Sequence, residues 1–411
     1  VASAQAWQDL RLRQLRAGGG SLHLHRIDAG HLLYDEITAG DRARLVVAQG
    51  DLRATSAALP ILAHRLEVDT PLGSWIGSGG DGAAVYLVRA APDGSDARGS
   101  LTLRARDRVA LRIGGGSAGL EIDGFDADGS RAGEFELWLP DAVAGAPGLD
   151  VLLDAALVAD GGLRVHGMAD WTTSAAGSLR AANGDVDLAV GRYTSQRSAG
   201  AAEIVAGTLA RVVASRGDAV LGGIAAQQIE VATPQGRILS SRTDGVDLTG
   251  SDFVRLNGAG AGRGIGESAA RPLVVDAPVV FAHSAQGDVH LRLTRARVTA
   301  TGLDTPNGHL SVQAAGDLEL TDALDTGAAR IGAAGRILMR DATVSTGLLD
   351  LDAGTTLDFG TLLAWSPADG VRARSGGDLS GQRVEAEGFV DLTAGGDLTI
   401  GQIVAPRQRL D

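Results

Sequence analysis

Ala315-Gly316-Asp317-Leu318-Glu319-Leu320, Ala334-Gly335-Arg336-Ile337-Leu338-Met339, Ala353-Gly354-Thr355-Thr356-Leu357, Ser375-Gly376-Gly377-Asp378-Leu379 and Ala394-Gly395-Gly396-Asp397-Leu398-Thr399-Ile400 are five versions of one phrase. Their first glycines, Gly316, Gly335, Gly354, Gly376 and Gly395, are almost evenly spaced. A fixed period of about 20 residues marks a solenoid. The unit is a Gly turn followed by alternating apolar and polar residues, which is strand chemistry. So short a repeat has room for two or three strands and their turns, but none for a helix pair. Each repeat therefore reads as one coil of a parallel β-helix. In this reading Gly turns the corner at positive φ, the following Asp or Arg points out into solvent, and Leu318 and Leu320 point in around an outward Glu319. A second apolar set recurs between the glycines, at Ala329-Arg330-Ile331, Leu349-Asp350-Leu351 and Phe389-Val390-Asp391-Leu392. One coil cannot bury these residues, but a stack of coils can.

Outward from this stretch the phrase persists, more loosely. Gly217-Asp218-Ala219-Val220-Leu221 and Gly236-Arg237-Ile238-Leu239 stand at the same spacing as Gly316 and Gly335. Gly287-Asp288-Val289-His290-Leu291 and Asn183-Gly184-Asp185-Val186-Asp187-Leu188 fit the same template. Residues 151–411 read as regular coils, sharpest over 315–400, and residues 1–75 as coils with a looser repeat. Residues 76–150 break the rhythm with longer loops between strand-like runs such as Val85-Tyr86-Leu87-Val88 and Phe135-Glu136-Leu137-Trp138-Leu139. They read as irregular coils or a β insertion, the place where a rigid scaffold would carry recognition loops. At about 20 coils and ~4.8 Å per coil the stack would be ~100 Å long.

Composition agrees with this reading. The chain has 411 residues, and a solenoid core grows along one axis, so that length needs no division into compact domains. Glycine numbers 59, about twice ordinary usage. Aromatics are 3%, which leaves small aliphatics to fill the interior. There is no Cys, hence neither disulfides nor a thiolate metal site. The 37 basic residues are all Arg, as the codon bias of a GC-rich bacterial genome would produce. A net charge of −13 argues against nucleic acid as a partner. No apolar run reaches membrane-span length. The first residue is Val1 and the first strand-like run follows at once, which reads as an internal piece of a longer protein.

Several short motifs carry candidate chemistry. Asp123, Asp126 and Asp128, with Glu121 and Glu134 nearby, place acids at alternate positions around Gly129, as in a Ca²⁺ loop. The EF-hand phrase is broken, because Gly124 stands where the first acid should be and Phe135 where the last should be. A solvated acidic turn is the plainer reading, and no cofactor is expected. His23 and His25 share the outer face of one strand without a third ligand at a legible spacing. Gly258 to Gly266 is Gly-rich but lacks the strand–helix context of a phosphate loop. Arg216-Gly217-Asp218 spells the tripeptide that animal integrins recognise, but Gly-Asp is the ordinary turn phrase of this repeat.

The run Phe389-Val390-Asp391-Leu392-Thr393-Ala394-Gly395-Gly396-Asp397-Leu398-Thr399-Ile400 resembles the repeats of filamentous-haemagglutinin-like exoproteins. These are the secreted partners of two-partner secretion systems, and contact-dependent inhibition toxins are among them. The likeness covers roughly 205–411 well, and 1–75 and 151–204 loosely. It implies a right-handed parallel β-helix shaft, export through an outer-membrane β-barrel transporter, and a secreted or cell-surface location. A role in adhesion or toxin delivery follows, with a host or neighbouring-cell receptor as partner. No functional residue of the family maps onto a position here. The expectation is an extracellular structural shaft without enzymatic activity. The alternatives are an autotransporter passenger and a β-helix polysaccharide-degrading enzyme. An enzyme would need acids and a base gathered across neighbouring coils. Asp317, Asp378 and Asp397 share a coil position, but it is a turn, and Arg336 and Thr355 interrupt the column.

Overall fold

The fold is seen in a computed structural model that describes residues 9–56, 58–77, 83–95, 97–115, 120–123, 131–140, 149–258, 264–405 and 407–410. Among these residues there is no helix, and hence none long and apolar enough to cross a membrane. Parallel strands form a β-solenoid of about 16 turns with roughly 22 residues per turn. The chain divides into two units, residues 1–197 with 203–211, and residues 198–202 with 212–411.

In the second unit three strand columns run up the coils. Leu318, Ile337, Leu357, Leu379 and Leu398 stack in one. Leu324, Ala342, Leu362, Val384 and Ile403 stack in the next. Ile331, Leu351, Ala373 and Leu392 form the third. The members of the first column are almost evenly spaced along the chain, as the glycines before them are. Strand alternation turns every second side chain inward, so Ile337, Leu357, Leu379, Ile331 and Leu351 are sealed from solvent. Each fully buried side chain of this size stabilises the stack by ~1.5–3 kcal/mol. Outside, Arg330, Asp350, Arg372 and Asp391 alternate in sign up the third column. Such partly exposed pairs contribute little individually.

In the first unit the equivalent column is Leu10, Leu32, Leu52, Trp75, Val109, Phe135, Leu163 and Val186. Here the spacing is uneven: the chain makes a short circuit from Leu32 to Leu52 and a much longer one from Trp75 to Val109. The inward positions stay in register while the connections between them vary, which is why this half repeats loosely in sequence. It is also why the turns are fewer and longer than a uniform repeat gives. The described strands of 76–150 belong to this stack. Ala84–Val88 lies between Ile61–Ala63 and Arg108–Gly115, and Gly99–Ala105 lies between Arg65–Thr70 and Leu120–Asp123. The interior here also holds aromatics: Trp75, Trp171, Tyr34, Tyr86 and Tyr193 are wholly buried.

Two details of the repeated turn differ from the sequence reading. Gly316, Gly335, Gly354, Gly376 and Gly395 do not have positive φ. Their need for glycine is one of space. A Cβ on Gly316, Gly354, Gly376 or Gly395 would run into the backbone carbonyl of the coil before it, and one on Gly335 into the Asp317 carboxylate. The Asp of the turn, in turn, is bonded across the coils and not merely solvated. Asp218, Asp288, Asp317 and Asp378 each use Oδ1 to accept the backbone N–H of Arg237, His309, Arg336 and Asp397 on the next coil, at 2.8–2.9 Å. In the first unit Asp51 does the same for Ser74 at 2.8 Å. Parallel strands leave such corner N–H groups without a ladder partner, and a carboxylate one coil away satisfies them.

Candidate functional site

The sequence-predicted residues fall in different places. Asp126 and Asp128 lie outside the described residues, and Asp123 ends the strand Leu120–Asp123. Among the described residues no group of three or more His, Asp or Glu side chains comes together as a metal site. His23 and His25 are exposed on the outer face of Leu22–Ala29, and their rings stack at 6.3 Å. Arg216, Gly217 and Asp218 form one of the ordinary turns. Gly217 is buried and Arg216 half-buried. Both Asp218 oxygens face Arg237, Oδ1 accepting its backbone N–H at 2.8 Å and Oδ2 its guanidinium at 3.4 Å. Near the end of the Gly-rich run, Ile265 bridges in parallel to Ile238 and Val289 and so rejoins the stack.

The structure instead picks out a polar corner that the motif search missed. It is built in both units. In the second unit Ser240 closes the strand Ile238–Ser240. Its Oγ accepts the Arg242 N–H at 2.9 Å and donates to Oδ1 of Asp247. Asp247 is 2% exposed, immediately before the strand Leu248–Gly258, and its Oδ2 accepts the Val274 N–H of the next coil at 2.7 Å. In the first unit Ser195 accepts the Arg197 N–H at 3.0 Å and donates to Glu203, which immediately precedes the strand Ile204–Ala206. Tyr193 Oη donates to the other Glu203 oxygen, and Trp171 Nε1 donates to Thr173 Oγ1 beneath it at 3.1 Å.

Burial is the largest influence on both acids and pushes the carboxyls of Asp247 and Glu203 above their usual range. The hydroxyl donors and the nearby Arg242 or Arg197 pull in the opposite direction. The signal was present in sequence as Ser-x-Arg, followed by an acid placed directly before an aliphatic: Ser240-Ser241-Arg242 with Asp247-Leu248, and Ser195-Gln196-Arg197 with Glu203-Ile204. It does not share the phrase of the coil repeat, so a search for that phrase passes over it.

The corner of the second unit is open to solvent. Residues Glu267 to Arg271 leave the stack in a tight turn, with an antiparallel bridge between Ser268 and Arg271. Between this turn and Thr243–Gly245 lies a cleft of about 290 Å³, with Asp247 and Val274 in its wall and Arg292 reaching it from the neighbouring coil. Arg242 anchors one side through three backbone carbonyls: Asp244 to its Nε at 3.1 Å, Gly222 to Nη1 at 3.3 Å and Gly200 to Nη2 at 2.9 Å. A site fixed this way on a strand end is rigid, which suits recognition of a small polar molecule.

The chain was compared with protein-family models, with curated proteins and with solved structures, and no match was found in any of the three.

Proposed function

We propose that this chain is a stretch of structural shaft from a large secreted bacterial exoprotein of the filamentous-haemagglutinin-like kind, holding a tip or effector away from the cell. The observation that supports this reading is the repeated column from Leu318 to Leu398, where each coil adds one layer to the same apolar stack. Such stability is a sum of neighbour terms, so a segment can be lengthened coil by coil without redesign. The turn carboxylates add a direction to this assembly. Asp317 presents an acceptor to the coil that follows it, so each finished coil offers both a strand edge and a carboxylate to the next. A chain emerging from an outer-membrane β-barrel transporter would fold outward by this route. In this proposal the role is mechanical and not catalytic, and a host or neighbouring-cell receptor would meet the tip.

Antibodies raised against the purified chain test the reading. Labelling of intact cells of the producing bacterium that disappears after brief external protease treatment supports it. Antigen found only after lysis overturns it.

A further inference from the structure

The cleft of the second unit carries charges that its own fold does not use. Arg242 is committed to three carbonyls. Arg271 and Glu267 neutralise each other at 2.6 Å. Asp247 is buried and accepts from Ser240 and from the Val274 N–H. Two cleft side chains remain, Arg292 and Asp244. Both are exposed. Neither side chain makes a hydrogen bond or ion pair with a described residue, although the Arg292 charge is felt by Asp247. Ala270, Pro272 and Val274 add apolar surface to the same lining.

A free cation and a free carboxylate in one rigid cleft select against most simple ligands. An inorganic anion would pair with Arg292 but would face Asp244. A simple cation would have the reverse problem beside Arg292 and Arg242. A polyanion would also meet the chain's net charge of −13. A molecule with both charges satisfies both side chains. Its carboxylate can take the planar guanidinium through two parallel N–H···O bonds, and its ammonium can donate to the carboxylate. About 290 Å³ is at the small end of ligand pockets, enough for one or two amino-acid residues and too little for a folded partner.

We infer that this cleft binds a small zwitterion, an amino acid or dipeptide, with its carboxylate on Arg292, its ammonium on Asp244 and its side chain against Pro272 and Val274. The site lies on the outside of the coils and adds a binding activity to the shaft reading without depending on it.

Saturation-transfer NMR of the intact chain, with a pool of the proteinogenic amino acids and the dipeptide Ala-Ala, tests the inference. For any member that binds, the N-acetyl form and the C-terminal amide are then titrated. Saturable binding that weakens at least about tenfold when either end is blocked is the expected result. Arg292→Gln should remove the preference for the free acid over the amide, and Asp244→Asn the preference for the free amine over the acetyl form. Both residues are exposed, so an unchanged circular dichroism spectrum shows that the fold is retained. No saturable binding by any member overturns the inference. So does an acetylated form that binds as tightly as the free one, or inorganic phosphate that competes as well as the zwitterion.

Discussion

The carboxylate tie between coils can be tested by a double-mutant cycle at Asp317 and Gly335. Asp317 Oδ1 accepts the Arg336 N–H at 2.9 Å. A Cβ added to Gly335 would occupy the position of that same oxygen, and its next contacts, to Gly316 C and Asp317 N, are at 3.0 and 3.1 Å. Asp317→Ala removes a charge-assisted bond at an exposed turn, worth about 1.5 kcal/mol at the low end of that class. Gly335→Ala displaces the carboxylate and loses the same bond. It adds about 1 kcal/mol for the tight remaining contacts and recovers about 0.5 kcal/mol of unfolded-chain entropy, for a net cost of about 2 kcal/mol. Independent effects would sum to about 3.5 kcal/mol in the double variant. If both changes break the same bond, the double variant costs only about 2 kcal/mol, a coupling of about 1.5 kcal/mol. Urea unfolding followed by far-ultraviolet circular dichroism reads these differences, and hydrogen exchange at the Arg336 amide reports the bond itself. Additivity within ~0.5 kcal/mol, or an Arg336 amide equally protected in all four proteins, would refute the reasoning.

Glu203 makes stability depend on pH. Its folded pKa is raised by burial. As pH rises past the ordinary carboxyl value, the unfolded chain therefore releases its proton first. Stability falls until the folded value is passed and is then flat. Glu203→Gln should remove that fall, measured as melting temperature between about pH 4 and 8; matching profiles for the two proteins would contradict it. Leu379 is fully buried in the first column, so Leu379→Ala should cost about 2–5 kcal/mol and Leu379→Asp should unfold the coils around it. Asp397→Ala, which keeps the backbone N–H that Asp378 accepts, should change the unfolding free energy read from urea by less than about 0.5 kcal/mol; similar losses at the two positions would argue against the inward assignment. Asp218→Ala frees the Arg237 N–H and should cost about 1.5 kcal/mol by the same urea assay, as at Asp317, whereas Asp218→Asn keeps a neutral acceptor and should recover part of it.

The fold was legible because stacking fixes inward positions in both sequence and space. The phrase that begins at Gly316 returns at a near-constant interval, and Leu318 stands one such step beneath Ile337. In the first unit the same physics was harder to read. The column stays in register across the long excursion from Trp75 to Val109, because only the strands must match and the connections may be any length. The local chemistry of the turn was read too simply. Positive φ is the usual reason for glycine, but here the reason is the carbonyl of the previous coil, which no single repeat can reveal. Calling Asp317 and Asp378 solvated was right about their exposure but missed what the carboxylate does, since its partner is 19 residues away on another coil.

The cleft stayed hidden for a related reason. Motif spelling favours residues that sit together in the chain, such as Arg216-Gly217-Asp218. In the fold this Asp repeats the tie that Asp288 and Asp317 make, so its neighbours explain it without a ligand. Asp247 is matched by Glu203 at the corner of the first unit and not by the turn phrase of the coils. Its partners Ser240 and Val274 lie 7 residues before it and 27 after, and Arg292 arrives from a further coil. In a solenoid a repeated polar residue is accounted for by the neighbouring coil that repeats with it. A polar residue without a counterpart one coil away has no such account. Asp244, in the bend Thr243–Gly245 outside the strands, makes no tie of that kind with its side chain, and Arg292, although in register with Gln313, makes no bond to it, which is the physical ground for looking for a ligand at this corner.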